Sequence, residues 1–185
     1  MRVITGEARG RKLIAPEGLT TRPTAEVVKE AIFSIIQFDI EGTKVLDLFS
    51  GSGQLGIEAL SRGADVCIFV DNDKKCHDII KQNLINTDLY KKARVALMDS
   101  ISYIKSCNEV FDIVFLDPPY NQNIINAVLP YVFERMSENG IVICETEKYE
   151  KIDDENQDLF LSKKYRYGKT IVTVYRKSNS EKTVY

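Results

Sequence analysis

The stretch with the most distinctive chemistry is Phe111–Tyr120, FDIVFLDPPY. Its first six residues are mostly apolar and rich in β-branched and aromatic types, which predicts a buried central strand. The strand ends at Asp117, and Pro118 and Pro119 then fix the backbone and supply no N–H donors. A carboxylate, two carbonyls and the Tyr120 ring are therefore held at the carboxyl end of a strand, where open α/β sheets bind ligands.

These groups suit a planar base that carries an exocyclic amine. Asp117 and the Pro118 carbonyl can accept the two amine hydrogens, while the Tyr120 ring stacks on the face of the base. An ordinary strand that ends at two prolines has the same local sequence, so the motif alone does not decide the function.

A second motif lies in the first β-α unit. Gly51, Gly53 and Gly56 have the spacing Gly-x-Gly-x-x-Gly between a buried strand and a helix. Glycines in such a turn let a ligand approach the backbone closely. Asp71 ends the next strand, 20 residues beyond Gly51, where its carboxylate can accept hydrogen bonds from ribose hydroxyls. Both a nicotinamide or flavin dinucleotide and the nucleoside portion of S-adenosylmethionine fit this pattern.

Two further acids favour S-adenosylmethionine as the cofactor. Asp47, in the strand that leads into the loop, is well placed for a cationic amino-acid group and poorly placed beside a pyrophosphate. Asp99 follows the third strand and adds an acceptor for the adenine amino group, although it also suits the N-cap of a helix that begins at Ser100. The predicted cofactor-binding residues are Asp47, Phe49, Gly51, Ser52, Gly53, Gly56, Asp71, Asn72, Asp99 and Ser100.

The elements that position these residues alternate between strand and helix. Strands are predicted over 44–49, 66–70, 94–97, 111–116 and 140–145, and helices over 54–62, 74–86, 100–106 and 124–136. Repeated β-α units of this size predict an α/β fold with a mainly parallel sheet covered by helices on both faces. Two last strands, over 159–164 and 170–176, are joined by a short turn and predict a C-terminal antiparallel hairpin, which brings the sheet to seven strands.

The chain before the first β-α unit is organised differently. Two short β-like runs, over 2–5 and 12–15, flank a turn rich in glycine and arginine and predict a small hairpin. Apolar residues at helical spacing predict an amphipathic helix over 25–37, with Thr24 as its N-cap. We therefore expect an N-terminal appendage over 1–40, a main domain over 41–177 and a frayed tail over 178–185.

Composition excludes several classes of protein. The net charge is −2, but residues 1–24 and 163–177 are basic, so a nucleic-acid role for the two ends stays open. No apolar run is long enough to span a bilayer, so no membrane partner is expected. Four cysteines without a Cys-x-x-Cys pair indicate reduced thiols in a cytoplasmic protein without a metal site. The lone histidine, His77, is expected to be an exposed helix residue.

The two chemical motifs together resemble a known class of enzyme. The loop Asp47-x-Phe49-x-Gly51-x-Gly53, followed later by Asp117-Pro118-Pro119-Tyr120, looks like the class I S-adenosylmethionine-dependent methyltransferases that modify exocyclic amines of bases. Three N-terminal segments narrow this to a resemblance to the bacterial 16S ribosomal RNA guanine-N2 methyltransferase family, which acts on guanine 966. These segments are Gly10-Arg11-Lys12-Leu13, Arg22-Pro23-Thr24 and Lys29-Glu30-Ala31-Ile32-Phe33.

The resemblance covers residues 1 to about 176, with two departures. Val27 stands where the family usually carries Arg or Lys, and Asp71 stands where it commonly carries a glutamate. The resemblance implies a Rossmann-like class I fold and S-adenosylmethionine as cofactor. It also implies 16S ribosomal RNA, or the assembling small subunit, as partner. The implied catalytic residues are Asp117, Pro118, Pro119 and Tyr120, and the implied phosphate-binding residues are Arg9, Arg11, Lys12 and Arg22.

Three alternatives remain at the level of sequence. A DNA adenine-N6 or cytosine-N4 methylase uses the same Asp-Pro-Pro-Tyr chemistry, but this chain has no room for a separate target-recognition domain. A nicotinamide-dependent oxidoreductase would explain the glycine loop and leave Asp-Pro-Pro-Tyr without a role. A non-catalytic RNA-binding protein on the same scaffold would be expected to have degraded motifs, and both motifs are intact.

Overall fold

A single seven-stranded sheet organises the chain, of which the computed structural model describes residues 1–16, 23–119, 123–153 and 160–177. The strands are β1 (Lys44–Asp47), β2 (Val66–Asp71), β3 (Ala93–Leu97), β4 (Phe111–Leu116), β5 (Met136–Glu147), β6 (Phe160–Tyr167) and β7 (Thr170–Lys177). The helices are α1 (Pro23–Ile35), α2 (Gln54–Ser61), α3 (Lys74–Thr87), α4 (Ser100–Ser106) and α5 (Ile124–Glu134), with a 3-10 turn at Tyr90–Lys92.

The strand order is β3-β2-β1-β4-β5-β7-β6. Strands β1 to β5 pair in parallel, whereas β7 is antiparallel to both β5 and β6. The predicted α/β fold, with a mainly parallel seven-stranded sheet and a C-terminal antiparallel hairpin, is confirmed. The order reverses between β1 and β4, and this is the position at which open α/β sheets bind ligands beyond the carboxyl ends of their strands.

Two apolar cores cover the two faces of the sheet. On one face, Phe33 of α1 packs against Phe115 of β4 with ring centroids 5.7 Å apart, and the helices α2 and α3 contribute to the same core. On the other face, α4 and α5 cover β1, β2, β4 and β5. Burial on both faces explains why the central strands are nearly continuous runs of apolar residues.

The N-terminal segment, residues 1–16, lies against the helices of the first face. Its two arms form one antiparallel bridge, Arg2 to Lys12, and the Val3 amide donates to the Arg11 carbonyl. Apolar side chains of the segment belong to the same core as α1, α2 and α3. The predicted hairpin is therefore present as a short ladder, and it buries its apolar residues against the main sheet and helices.

Buried polar side chains of the helices hold this segment in place. Glu58 of α2 accepts hydrogen bonds from the amides of Ile4 and Thr5, at 2.8 and 3.0 Å. Asn83 of α3 accepts from the Ile14 amide at 2.7 Å and donates to the Ile14 carbonyl at 2.9 Å. Since these side chains are buried, each bond satisfies groups that would otherwise be costly to remove from water.

Three local predictions differ from the structure. The first helix begins at Pro23, so Thr24 lies inside it and the predicted N-cap is wrong; proline suits the first helical position because its φ is already helical. His77 is buried, because it shares the inward stripe of α3 with Ile80 and Leu84. Strand β5 begins four residues before the predicted 140, at Met136. No helix in the described ranges is long and apolar enough to cross a membrane.

Candidate active site

The register of the central strands brings the predicted acids to one edge of the sheet. Asp47, the last residue of β1, pairs with Phe69 of β2 and Phe115 of β4. Asp71 and Asp117 each follow two residues later on these neighbours. Because side chains alternate across a strand, all three carboxylates lie on the face that carries α1, α2 and α3. The prediction that they share one ligand-binding edge agrees with this register.

The glycine loop is fixed to the end of β2 by hydrogen bonds. The Gly51 amide donates to Asp71 Oδ2 at 2.8 Å, and Asp71 Oδ1 accepts from the Asp73 amide at 2.9 Å. Ser50 links the same strands, because its hydroxyl donates to the Asp47 carbonyl and accepts from the Val70 amide. The loop is therefore ordered by its own contacts before any ligand arrives.

The three glycines of the motif have different surroundings. Gly51 has a φ of 54°, and a Cβ placed there would meet no atom within 4 Å, so the space in front of the backbone is open. Gly53 also has a positive φ, of 78°. A Cβ on Gly56 would lie 2.3 Å from the Phe69 ring, so this glycine permits close packing of α2 on β2. Of these three, Gly51 and Gly56 match the ligand-approach and helix-packing roles of such a motif.

Asp47 is a buried carboxylate at the centre of this edge. It is only 2% exposed, and its Oδ2 accepts from the Gly56 amide at 3.0 Å. Burial, the largest cause, and the neighbouring charge of Asp71 together raise the pKa of Asp47 to about 7, against the lowering effect of the Gly56 hydrogen bond. An adjacent cation would relieve both costs, whereas a pyrophosphate would add to them.

Asp117 occupies the end of the central strand beside this carboxylate. Burial is the main reason why the pKa of Asp117 lies well above the ordinary aspartate value. The negative charges of Glu145 and Asp47 raise it as well. Pro118 is buried and Pro119 is exposed, while the predicted stacking residue Tyr120 lies outside the described residues. The side chains around this edge are carboxylates. They therefore favour the positively charged sulfonium and amino groups of S-adenosylmethionine.

Other predicted cofactor residues have structural contacts. Asp99 Oδ1 accepts from the amide and the hydroxyl of Ser102, each at 2.8 Å, so it caps α4; these bonds lower the pKa of Asp99. The Ser100 hydroxyl donates to the Leu48 carbonyl at 2.7 Å. Ser52 is buried and its hydroxyl lies 3.7 Å from the Met1 sulfur. Their contacts with a cofactor stay predictions, as do those of Phe49, which is half-buried, and Asn72, which is exposed.

The predicted RNA-binding residues do not lie beside the acidic edge. Arg9, Arg11 and Lys12 are exposed, and the Arg11 guanidinium donates to the Asn86 carbonyl in the last turn of α3. Asn83, three residues before Asn86, also donates to the Ser52 carbonyl in the glycine loop at 2.9 Å, so the Arg11 contact lies about one helical turn from that loop. The turn itself lies at the amino-terminal ends of the strands, where the Glu7 amide donates to the Ser61 carbonyl at the end of α2 and Glu7 pairs with Lys92 just before β3. Arg22 lies outside the described residues.

Sequence reasoning missed one acid of this edge. Glu145, on β5, follows Cys144, which pairs with Leu116 of β4, so it is the neighbour of Asp117 across the ladder. It is half-buried. A signal was present, because Glu145 is the last residue of the predicted strand over 140–145, and a carboxyl end of a parallel strand is where ligands bind.

Comparisons with known proteins agree with this chemistry. The family model described as conserved hypothetical protein 95 matches residues 1–176. A Bacillus subtilis protein described as an rRNA methyltransferase, YlbH, is 40% identical over 182 residues, which is 96% of this chain and 99% of that protein. The ribosomal RNA small subunit methyltransferase D of Haemophilus influenzae is 37% identical over 155 residues, which is 80% of this chain and 79% of that protein.

The solved structures include proteins of the same shape. An Escherichia coli protein described as a methyltransferase, yhhF, has a TM-score of 0.85 and 26% sequence identity. The match covers 96% of this chain and 98% of that one. The match therefore includes nearly all of the seven-stranded sheet and the N-terminal segment.

Proposed function

Since the chain belongs to the conserved hypothetical protein 95 family and is an S-adenosylmethionine-dependent rRNA methyltransferase, we propose that it methylates the exocyclic N2 amine of a guanine. The proposed target is in 16S ribosomal RNA, as free RNA or in the assembling small subunit, and the family resemblance implies guanine 966. The observation that carries the proposal is the position of Asp117-Pro118, directly after the central strand β4 and beside Asp47.

The cofactor side of the site is formed by the first three strands. S-adenosylmethionine supplies an electrophilic methyl group on a positively charged sulfur. The Asp47 carboxylate favours a cation at the edge, Asp71 can accept from ribose hydroxyls, and the open space at Gly51 lets a ligand approach the loop. Asp99 retains acceptor capacity for an adenine amine while it caps α4, because a carboxylate has about four lone-pair sites.

The substrate side of the site has to orient a weak nucleophile. The lone pair of the guanine N2 amine is delocalised into the ring, so the amine reacts only when it is held close to the methyl group and in line with the departing sulfur. Asp117 and the Pro118 carbonyl accept its two hydrogens in this proposal. These contacts turn the lone pair towards the methyl group and stabilise the positive charge that develops on nitrogen.

Methyl transfer forms a carbon–nitrogen bond and breaks a carbon–sulfur bond, and the alkylated amine then releases one proton. Asp117 is the proposed acceptor of that proton. Burial and two neighbouring carboxylates raise its pKa, which makes its conjugate base a stronger general base than an exposed aspartate.

The target guanine must leave the base stack to reach this edge. A paired base is shielded on its Watson–Crick edge, so we expect an unpaired or flipped-out nucleotide, with Tyr120 stacking on its face. The phosphates of the surrounding RNA would be contacted by Arg9, Arg11, Lys12 and Arg22. The acidic cofactor edge opposes pyrophosphate binding, so no observation favours an oxidoreductase.

A methyl-transfer assay with labelled S-adenosylmethionine tests the proposal. Small-subunit RNA and assembled subunits from a strain that lacks this enzyme are offered beside unmodified duplex DNA. We expect label as N2-methylguanine in the ribosomal substrate, and analysis of the labelled fragment locates the nucleotide. Label only in DNA adenine or cytosine would keep the amine chemistry and overturn the substrate, and label in a different ribosomal base would overturn the guanine assignment.

A further inference from the structure

The substrate side of the active-site edge contains a second carboxylate that the proposed chemistry has not used. Glu145 lies on β5, which is parallel to β4 and in register with it through Leu116 and Cys144. Asp117 and Glu145 are the next residues on these two strands, so their backbones are about 5 Å apart. Because Phe115 and Ile143 face the core of α1, α2 and α3, alternation directs both acids to that same face.

The rest of β5 makes Glu145 a rigidly placed group. The strand continues to Glu147, and Glu145 pairs with Val172 of the antiparallel strand β7. The side chain is half-buried, and after burial its negative charge is the largest cause of the raised pKa of Asp117. A residue that is paired with β7 and directly follows the last pair with β4 can bind a ligand with little loss of conformational entropy.

In the sheet, β5 lies on the side of β4 that is away from the cofactor loops, and Glu145 therefore lies on that side. The residues assigned to the cofactor follow β1, β2 and β3, and these strands lie on one side of β4 in the sheet order. A base that reaches Asp117 must therefore extend over the other side, where β5 is the next strand. Glu145, which lies beside Asp117 on β5, would then contact the atoms of the base that are adjacent to the reacting amine.

Resting on the proposed function, we infer that Glu145 selects guanine by accepting a hydrogen bond from its N1–H while Asp117 and the Pro118 carbonyl accept from the N2 amine. The Watson–Crick edge of guanine presents these donors on adjacent atoms. Two neighbouring carboxylates match that pair of donors. A base whose ring nitrogen in this position carries no hydrogen, such as adenine or 2-aminopurine, would place a lone pair against the Glu145 carboxylate.

A pair of RNA substrates isolates this contact. One carries guanine at the target position and the other carries 2-aminopurine, which keeps the 2-amino group and lacks both the N1 hydrogen and the 6-oxygen. The variants are E145Q, whose amide can donate to the ring nitrogen of 2-aminopurine, and E147Q as the matched control. Glu147 lies two residues further along the same face of β5.

We expect wild-type enzyme to prefer guanine strongly. In E145Q, kcat/KM for guanine falls about 10-fold, since the amide oxygen can still accept from N1–H but a neutral acceptor forms a weaker hydrogen bond than a carboxylate. For 2-aminopurine kcat/KM stays level or rises, so the preference collapses. The E147Q variant keeps the wild-type preference, and cofactor binding and thermal unfolding of E145Q show that its fold and cofactor site are intact.

Other outcomes distinguish a failure of the selecting role of Glu145 from a failure of the proposed function. Equal losses on both substrates in E145Q, or a change in the pH profile with an unchanged base preference, would overturn the selecting role and leave Glu145 as a group that only tunes Asp117. If wild-type enzyme gives no N2-methylguanine on the guanine substrate while it methylates another base, the proposed function fails, and the inference about Glu145 fails with it.

Discussion

Two aspartates at the same edge of the sheet have raised pKa values, and their neighbours give them different roles. Asp47 is buried beneath the glycine loop, with one oxygen committed to the Gly56 amide. Asp117 ends the central strand beside Glu145. The first is placed to interact with a cation and the second with a reacting amine, so substitutions at the two positions should separate cofactor binding from methyl transfer.

The first prediction concerns Asp117→Ala. We expect methyl transfer to fall at least about 1,000-fold, because the variant loses both an acceptor for the amine hydrogens and the proposed base. Affinity for S-adenosylmethionine, measured by calorimetry, should stay within a few-fold of wild type. Loss of cofactor binding in this variant would assign Asp117 to the cofactor instead of the substrate.

The second prediction concerns the pH dependence of the same group. Asp117 must be ionised to accept hydrogens and a proton, and its pKa is raised by burial, by Glu145 and by Asp47. The single-turnover rate should therefore rise with pH through a value well above the aspartate norm of about 4. E145Q removes one of the charges that raise this pKa, so its profile should shift to lower pH. An unshifted profile would mean that a different group controls the rate.

The third prediction concerns Asp47→Asn in the cofactor-free protein. Since the pKa of Asp47 rises from 3.8 to about 7 on folding, the folded chain holds a proton between these values that the unfolded chain has released. This group thus stabilises the fold at low pH, and its contribution is lost as pH rises towards about 7. An asparagine stays neutral and can still accept from the Gly56 amide.

Thermal unfolding at two pH values measures this effect. At pH 8 the Asp47→Asn variant should be more stable than wild type by roughly 4 kcal/mol, and at pH 4 the two should be nearly equal. The variant should also gain less stability from added S-adenosylmethionine, because the neutral amide lacks the charge that favours a cation. A variant that is less stable at both pH values would show that the carboxylate itself holds the loop.

At the scale of elements, the docking of the N-terminal segment depends on one close approach. Gly6 has a φ of 88°, and a Cβ there would lie 1.7 Å from the Ser61 carbonyl oxygen at the end of α2. Around this contact, the Glu7 amide donates to the Ser61 carbonyl and the Ala8 amide donates to the Ser61 hydroxyl. The segment and the helix therefore meet backbone to backbone.

The fourth prediction compares Gly6→Ala with Gly10→Ala. Both positions have a positive φ, of 88° and 82°, but a Cβ on Gly10 meets no atom within 4 Å. Gly10→Ala should cost only the backbone strain, about 1 kcal/mol, whereas Gly6→Ala should cost about 2–4 kcal/mol and expose the segment to proteolysis. Equal losses of stability in the two variants would show that the contact with Ser61 does not hold the segment.

Local patterns predicted most of the elements, but not the contacts between them. The strand over 111–116 and the helix over 100–106 agree with the structure because apolar runs and Pro or Asp boundaries mark their ends in the chain itself. The anchoring of Ile4 and Thr5 by Glu58 joins residues more than 50 positions apart. Glu58 sits in a helix where a charged residue is ordinarily exposed, so no local pattern indicates its burial.

The acidic site was predicted in part for the same reason. Asp47 lies in the predicted strand that leads into the glycine motif, and Asp71 and Asp117 each follow a recognisable strand, so their shared edge follows from the parallel sheet. Glu145 also ends a predicted strand, but its adjacency to Asp117 depends on β5 lying next to β4. The sequence identifies strands and leaves their order in the sheet undetermined, so this neighbour becomes visible only in the fold.

At the scale of the whole molecule, the site and the basic turn lie at opposite edges of the sheet. The acids are at the carboxyl ends of the strands, and Arg11 contacts the last turn of α3. The turn around Arg9 is anchored at the amino-terminal ends of the strands, by the Ser61 carbonyl and by Lys92, and the six residues of β2 between the two ends span about 20 Å. A substrate that touches both the site and this turn must therefore span that distance, and a short strand carrying only the target base would reach only the site.

The fifth prediction follows from this separation. In R9A and R11A, we expect KM for assembled small subunits to rise several-fold with kcat nearly unchanged, because a phosphate contact that is remote from the reacting amine contributes to binding alone. The salt dependence of binding should lose about 0.7 to 0.9 from its logarithmic slope for each contact removed. K105A, on the opposite face in α4, is the matched control.

A short RNA that carries only the unpaired target and its nearest neighbours completes the test. On this substrate both arginine variants should match wild type, since the fragment cannot extend to the opposite edge. Equal defects on the fragment and on the subunit would place the arginines near the reacting base and contradict the separation along the strands. No defect on either substrate would show that Arg9 and Arg11 are solvated surface residues without an RNA contact. Other basic groups of the chain would then have to bind the RNA.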